Sequence, residues 1–193
     1  MVEAVAQGET REQIRERIKG RFMTTFDAMD QHEVKITEED GNIEVRQTWD
    51  ENTNVMMGFG QQKMIEGLVP DDFRKFFEEW DTHGASANDT IVSIDKVATD
   101  NGVDTMKVVA AAPWPISNRV MFSTRYLEMD IEGGHMILFC SDGNDRLADD
   151  PAILTPKEKK KLVVATVFLS GWWVKPIKDE SGAITGTNMK YFS

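Results

Sequence analysis

Short segments in which apolar and polar residues alternate cover most of the chain after residue 34, and turn dipeptides, among them those at 101–102 and 181–182, separate several of them. In the first two segments, Val34, Ile36, Ile43 and Val45 alternate on either side of the turn at 40–42, which predicts an antiparallel hairpin. Further strands are predicted at 54–66, 90–98, 104–112, 119–130, 135–141, 162–174 and 184–192. Because successive side chains of a strand face opposite sides, these segments must together bury one face of a long antiparallel sheet.

Two segments instead have the period of a helix. Thr10 and Gln13 form a capping box ahead of a helix predicted over about 11–30, whose apolar face includes Ile18 and Phe22. A short second helix is predicted from Pro70 to about Trp80, followed by a polar break at 83–89. The connection 142–161 has an acidic half and a basic half. The order of elements predicts the α+β class.

Length, charge and cysteine content exclude several classes of protein. A chain of 193 residues, 40% hydrophobic, predicts a single domain over 1–193 with an ordered core from about residue 10. The net charge of −11 disfavours binding to nucleic acid and permanent adsorption to an anionic membrane. A single cysteine, Cys140, and no apparent leader in residues 1–9 favour the cytoplasm. The longest apolar stretch, 162–174, is too short to span a bilayer.

No recognisable catalytic or metal-binding motif is present. The three histidines and Cys140 are scattered along the chain, whereas zinc sites need them at short spacing. The segment 142–153 lacks the glycine and the final glutamate of a calcium loop. Cys140 lies in an apolar strand and is interpreted as a small buried hydrophobe. We therefore expect no cofactor, and the composition favours a protein that works through an internal cavity.

The segment 111–130, AAPWPISNRVMFSTRYLEMD, carries the clearest motif. Pro113 and Pro115 cannot both belong to a strand ladder, so they predict a projecting loop with Trp114 at its tip. This loop and the Asn118-Arg119 that follows it resemble the START-domain (StAR-related lipid-transfer) family. Three other segments are similar to the same family in order and spacing, namely 79–81 (EWD), 163–176 (VVATVFLSGWWVKP) and 189–192 (MKYF).

The resemblance implies a helix-grip fold, in which a long curved antiparallel sheet with an N-terminal helix encloses a tunnel for one lipid. In the family a long C-terminal helix closes the tunnel, and the loop and that helix form its gate. The sequence given ends at Ser193, near the end of the last predicted strand, so the C-terminal helix is expected to be missing from it. We accordingly expect a truncated chain, another lid such as the N-terminal helix, or self-association.

The loop is most similar to that of the phosphatidylcholine-transferring member of the family, but the head-group positions differ. That member holds phosphate with an arginine four residues before the Asp of its Trp-Asp pair; this sequence has Phe77 at the position of the arginine, and of the two head-group residues only the acid, Asp81, is retained. At the positions of its aromatic choline site this sequence has Val108, Met121 and Leu169. These differences disfavour a phosphocholine ligand.

In sterol-binding members a buried acid pairs with an arginine, and Arg125 aligns with that arginine while Met106 occupies the position of the acid. Arg125 is expected to pair with Asp81, with a polar group of the ligand or with water, or else to lie on the solvent side of its strand. If it points inward, strand parity makes Met121 and Ser123 on its own strand point inward as well. On the preceding strand, Met106, Val108 and Ala110 share one face.

These residues predict a tunnel lined by apolar side chains, suited to a sterol, a phospholipid or a fatty-acyl chain. The alternative is that they belong to the hydrophobic core and line no tunnel. We expect a non-enzymatic lipid carrier that contacts membranes transiently through Trp114, with Lys157 to Lys161 as a weaker candidate for contact with anionic lipid. The alternatives are a lipid-sensing or protein-interaction module without transfer activity, and a related helix-grip enzyme. The enzyme would have only Asp81, Ser123 and Arg125 as polar groups in the cavity.

Overall fold

The computed structural model describes residues 10–51, 54–100, 103–131, 133–141 and 144–193. Helix α1 is Arg11–Met29; strands β1, β2 and β3 are Val34–Glu38, Ile43–Asp50 and Val55–Glu66; helices α2 and α3 are Pro70–Glu78 and Trp80–Ala87. Strands β4 to β7 are Ile91–Asp100, Val103–Ala110, Arg119–Ile131 and Gly134–Cys140. Helix α4 is Pro156–Lys159, and strands β8, β9 and β10 are Val163–Val164, Ser170–Lys178 and Ile184–Phe192.

The strands form one long, open and mainly antiparallel sheet in the order β1-β2-β3-β10-β9-β7-β6-β5-β4, and β8 pairs in parallel with β6. This confirms the predicted α+β class. The chain divides into two compact units. The first comprises Met1–Arg74, Leu127–Leu138 and Leu169–Ser193, and the second comprises Lys75–Tyr126 and Phe139–Phe168. The single-domain organisation stays a prediction.

The capping box at the start of α1 is present as predicted. The Thr10 side chain accepts from the backbone N–H of Gln13, and the Gln13 side chain accepts from the backbone N–H of Thr10 at 2.8 Å. Both bonds satisfy donors that a helix otherwise leaves unpaired at its first turn. The helix ends at Met29, one residue earlier than predicted.

In the first unit, α1 packs by its aromatic residues onto strands β9 and β10. The Phe22 and Phe26 rings lie 4.8 Å and 5.2 Å from the Phe192 ring between centroids, and Phe26 also contacts Trp173. A Cβ at Gly171 would lie 2.7 Å from the Phe22 ring and 2.1 Å from the carbonyl oxygen of Ile137. The helix can therefore approach this strand only because residue 171 has no side chain.

In the second unit, the segment 144–162 covers one face of β5 and β6. Val109, Val120 and Phe122 are buried there against Ala148 and Leu154. The segment is fastened by the buried Lys107, which donates to the Ile153 carbonyl at 3.0 Å and to the Glu158 carboxylate at 2.8 Å. The sequence predicted only a connection here, whereas the structure has a short 3-10 helix at Asn144–Asp149 followed by α4.

Two of the predicted boundaries are wrong. The polar break at 83–89 is mostly helical, because α3 begins at Trp80 and continues to Ala87. The single strand predicted over 162–174 is instead the two-residue β8 followed by β9. Between them Val167 leaves the ladder, since its N–H donates to the Ser141 hydroxyl at 2.8 Å and its carbonyl accepts from the Ser141 N–H at 2.7 Å. The predicted turn at 101–102 lies outside the described residues.

We expect Gly171→Ala to destabilise the protein by about 1–3 kcal/mol, because the new methyl group overlaps the Phe22 ring and a backbone oxygen. Gly20→Ala is the matched control: it makes the same chemical change in α1, where no heavy atom lies within 4 Å of the new Cβ. It should stabilise the helix by about 0.5–1 kcal/mol. Urea unfolding measures both variants. Equal stability of Gly171→Ala and wild type would contradict the close packing of α1 described above.

Candidate functional site

The candidate site lies in the second unit, on the face of β5 and β6 opposite to the segment 144–162. Antiparallel pairing places Met106 opposite Ser123 and Val108 opposite Met121. Directly paired residues point to the same side of a sheet, so the predicted common face of these four residues with Arg125 is confirmed. Met106 is fully buried and Ser123 nearly so, while Ala110 is half-buried at the end of its strand.

Arg125 is buried and its guanidinium is held by three groups of the protein. It forms an ion pair with Asp104 and donates to the backbone carbonyls of Phe77 and Glu78, the latter at 3.1 Å. These carbonyls belong to the last residues of α2, where a helix leaves acceptors unpaired and carries partial negative charge. The planar fork of the arginine side chain suits this combination of a carboxylate and two carbonyls.

This arrangement corrects the predicted partner of Arg125. Asp104 lies directly opposite Arg125 in the β5–β6 register. Asp81, the expected partner, is half-buried in the first turn of α3, beyond the two carbonyls that Arg125 contacts, and Asp104 takes the place predicted for it. The solvent-facing alternative for Arg125 is also wrong, since its exposed fraction is only 6%. Strand parity alone is enough to indicate Asp104 as the partner of Arg125, because Asp104 lies two residues before Met106 and therefore on the same face of β5.

Asp104 remains ionised in this buried position. Burial disfavours its charged form, but hydrogen bonds from Thr99 at 2.6 Å and from Lys96, together with the charge of Arg125, outweigh burial and lower its pKa. The Lys96 ammonium lies 3.2 Å from the carboxylate. Asp104 therefore connects β4, β5 and β6 through charge-assisted hydrogen bonds.

Phe77 and Trp80, both predicted site residues, lie in a buried aromatic cluster. Their rings are 5.1 Å apart between centroids, and the Phe139 ring lies 6.1 Å from Phe77 and 6.4 Å from Trp80. Helix α3 approaches β4 closely at Gly84, where a Cβ would lie 2.3 Å from the Ile94 side chain and 2.7 Å from the Trp80 ring. Ile94 is in turn paired with Val108. The aromatic cluster and the strand face that carries Met106 and Val108 therefore belong to one packed region.

The loop between β5 and β6 projects as predicted, and Trp114 at its tip is 93% exposed. Two bonds hold the loop: the Asn118 side chain accepts from the Ala112 N–H at 3.1 Å, and the Pro113 carbonyl accepts from the Ile116 N–H at 2.9 Å. The Trp114–Pro115 peptide bond is cis. Exposure of a tryptophan on a loop that is fixed at its base is typical of a contact surface.

Three further observations concern the rest of the described chain. Leu169 belongs to the first unit, where it is half-buried just before β9. No group of three or more metal-ligating side chains occurs in the part of the chain that the structure describes. Among the same residues, no helix is long and apolar enough to cross a membrane.

No family model and no curated protein matches the chain. Solved structures do match. Human StAR-related lipid transfer protein 5 superimposes with a TM-score of 0.67 at 12% identity, covering 94% of this chain and 79% of that one. Human STARD10 matches with a TM-score of 0.61 at 14% identity, over 98% of this chain and 68% of that one. A StAR-related lipid transfer protein from Xanthomonas axonopodis matches with a TM-score of 0.60 at 16% identity, over 84% and 80%. The chain has the fold of START-domain structures, as its sequence motifs predicted.

We expect Arg125→Leu to lower the free energy of unfolding by about 2–4 kcal/mol, because it leaves Asp104 and two helix carbonyls without their buried donor. Arg125→Lys is the matched control, since it keeps the charge but loses the planar fork, and it should cost less. Urea unfolding of both variants measures the difference. Wild-type stability of Arg125→Leu would contradict a structural role for this ion pair.

A separate expectation concerns pH. The bond from Lys107, followed by those from the Thr155 hydroxyl and N–H, lowers the pKa of Glu158 from 4.5 to about 2. A carboxylate whose pKa is lowered in the folded state stabilises that state above its unfolded pKa and loses this contribution as the pH falls. The stability difference between wild type and Glu158→Gln should therefore be constant above pH 5 and shrink between about pH 4.5 and 2. A difference that stays constant over this range would contradict the ion pair.

Proposed function

We propose that this chain binds one hydrophobic lipid noncovalently and carries it between membranes. The observation that carries the proposal is the fold, which covers 94% of the chain in superposition on a protein named for lipid transfer. The sequence motifs around Trp114 and Trp80 agree with that fold. The proposed function contains no chemical step. We also propose a cytoplasmic location, because the single cysteine, Cys140, cannot form an internal disulfide.

The face of Met106, Val108 and Met121 is the proposed lipid-contacting wall. Its side chains are apolar and the two methionines are flexible, so they favour a hydrocarbon chain or ring over a charged head group. Ser123, beside the Asp104–Arg125 pair, supplies the polar end of the wall, where its hydroxyl would donate to a ligand hydroxyl or ester. Phe77, Trp80, Asp81, Ala110 and Leu169 remain proposed site residues on the grounds of sequence.

The proposed membrane contact is the loop of Trp114 together with the neighbouring β8. Ile116, Val163 and Val164 are exposed apolar residues, and the Val163 N–H donates to the Asn118 carbonyl at 3.0 Å, which joins β8 to the base of the loop. Four lysines precede β8 at positions 157 and 159–161, all of them exposed. One of them, Lys159, is paired with Asp149, so the surface retains three lysines for anionic lipid.

The test combines lipid identification with transfer. Native mass spectrometry of the purified protein should show one bound lipid, and the protein should accelerate transfer of a fluorescent sterol or phospholipid from donor to acceptor vesicles. Trp114→Ser should slow transfer several-fold without changing stability, because an exposed indole makes no core contact to lose. The control is Val92→Ser, which removes an apolar side chain that is 55% exposed on β4.

Three outcomes discriminate. Lipid binding together with accelerated transfer that Trp114→Ser slows supports a carrier. Binding without any acceleration of transfer supports a lipid-sensing module instead. A protein that shows no bound lipid and no acceleration of transfer would overturn the proposal.

A further inference from the structure

Thr155 lies in an exposed stretch of the second unit and is followed directly by a proline. Of the six prolines in the sequence, Pro156 alone follows a serine or a threonine. The Thr155 backbone is extended, with φ −62° and ψ 154°, as proline favours in the residue before it. Thr155, Pro156 and Lys157 are all exposed. An exposed and extended threonine-proline dipeptide is the substrate chemistry that a proline-directed protein kinase recognises.

The Thr155 hydroxyl lies against a charged carboxylate. It donates to one Glu158 oxygen at 2.6 Å, and the other Glu158 oxygen accepts from the buried Lys107 ammonium at 2.8 Å. The bonds from Lys107 and from Thr155 lower the pKa of Glu158 to about 2, so this carboxylate is ionised at neutral pH. A phosphate on the Thr155 oxygen is repelled by it. Because Lys107 and the Thr155 N–H hold Glu158 in place, the phosphate has to turn outward into solvent.

Four exposed lysines follow Thr155 within two turns. A helical rise of 1.5 Å per residue puts the last of them about 9 Å from Thr155 along the axis, which is close to the Debye length of about 8 Å in physiological salt. Glu158 offsets one of the four positive charges, so residues 155–161 have a net charge of +3. We name residues 157–161 the lysine segment; its lysines are Lys157, Lys159, Lys160 and Lys161.

The lysine segment is continuous with the proposed membrane contact. It is followed by β8, in which Val163 is 47% exposed and Val164 is 38% exposed. Apolar side chains next to a group of lysines are typical of a surface that meets anionic lipid, because the lysines attract the head groups and the apolar groups enter the interface. A new charge at Thr155 would therefore act on this contact.

We propose that a proline-directed kinase phosphorylates Thr155 and that the phosphate releases the lysine segment from anionic membranes. In the reaction the Thr155 Oγ1 bonds to the γ-phosphorus of ATP, the bond between that phosphorus and ADP breaks, and the hydroxyl proton passes to the kinase. The phosphate has a charge of about −2 at pH 7 and lowers the charge of residues 155–161 from +3 to about +1. The inference rests on the proposed function, because it concerns the membrane contact of the carrier.

The first experiment tests the modification site. The full chain is incubated with ATP and a mitogen-activated or cyclin-dependent kinase, and mass spectrometry of its peptides locates the phosphate. A synthetic peptide of residues 150–161 (DPAILTPKEKKK) is the reference substrate, because it presents the same dipeptide without the fold. We expect phosphate on Thr155 of the folded protein and none at this position in Thr155→Asn.

The second experiment tests the consequence with vesicles. Phosphorylation should lower the affinity for vesicles of phosphatidylcholine and phosphatidylserine by about tenfold or more, because it removes most of the positive charge of the segment. Affinity for vesicles of phosphatidylcholine alone should not change. Co-sedimentation measures both, and thermal unfolding monitors the fold.

A pair of variants isolates the charge. Thr155→Asp and Thr155→Asn have side chains of the same size, and both can cap α4 as Thr155 does, so they differ only in one negative charge. We expect Thr155→Asp to bind the vesicles with phosphatidylserine a few-fold more weakly than Thr155→Asn. This difference should disappear at high salt, since salt screens exposed charges.

The outcomes separate this inference from the proposed function. Phosphate on Thr155 together with weaker binding to the anionic vesicles supports the inference. A folded protein that takes up no phosphate on Thr155 overturns it, and so does a phosphorylated protein that binds these vesicles as tightly as the unmodified one. Wild type that ignores anionic vesicles but still carries lipid overturns the inference and leaves the carrier function in place. Wild type that carries no lipid overturns the carrier function, and the comparison on vesicles still decides the role of Thr155.

Discussion

The pairing of Asp104 with Arg125 is the interaction on which the second unit depends. A buried guanidinium is costly unless every direction of its fork is satisfied, and here one carboxylate and two carbonyls satisfy it. Because the carbonyls close α2 and the carboxylate belongs to β5, a single side chain of β6 fixes where a helix ends relative to two strands. The aromatic cluster of Phe77 and Trp80 begins at that point, so its position follows from the ion pair.

Much of the fold follows from local signals. The capping box predicted the start of α1, and the alternation of residues 184–192 predicted β10 with both of its boundaries correct. The prolines on either side of Trp114 predicted the projecting loop. In each case the determinant is a short-range rule, such as a cap, a period of two or a missing donor, that does not depend on distant residues.

Features that depend on distant partners were missed. Val167 has the composition of a strand residue, but its bonds to Ser141 take it out of the ladder. Helix α3 contains His83, Gly84 and Ser86, which favour a break by composition, yet Gly84 allows the close approach to Ile94 that stabilises the helix. For the site, parity correctly grouped Met106, Ser123 and Arg125. The resemblance directed attention to Met106 as the position of the acid, although the acid itself lies two residues earlier.

The exposure of Trp114 also gives the protein an optical property. Trp80 and Trp173 are buried and Trp49 and Trp172 are partly covered, so Trp114 is the indole most fully surrounded by water among those of the chain. Its emission should lie at the red end of the protein's spectrum and respond first to an aqueous quencher. The loop thus carries its own spectroscopic reporter, and a change in its surroundings can be followed in the unlabelled protein.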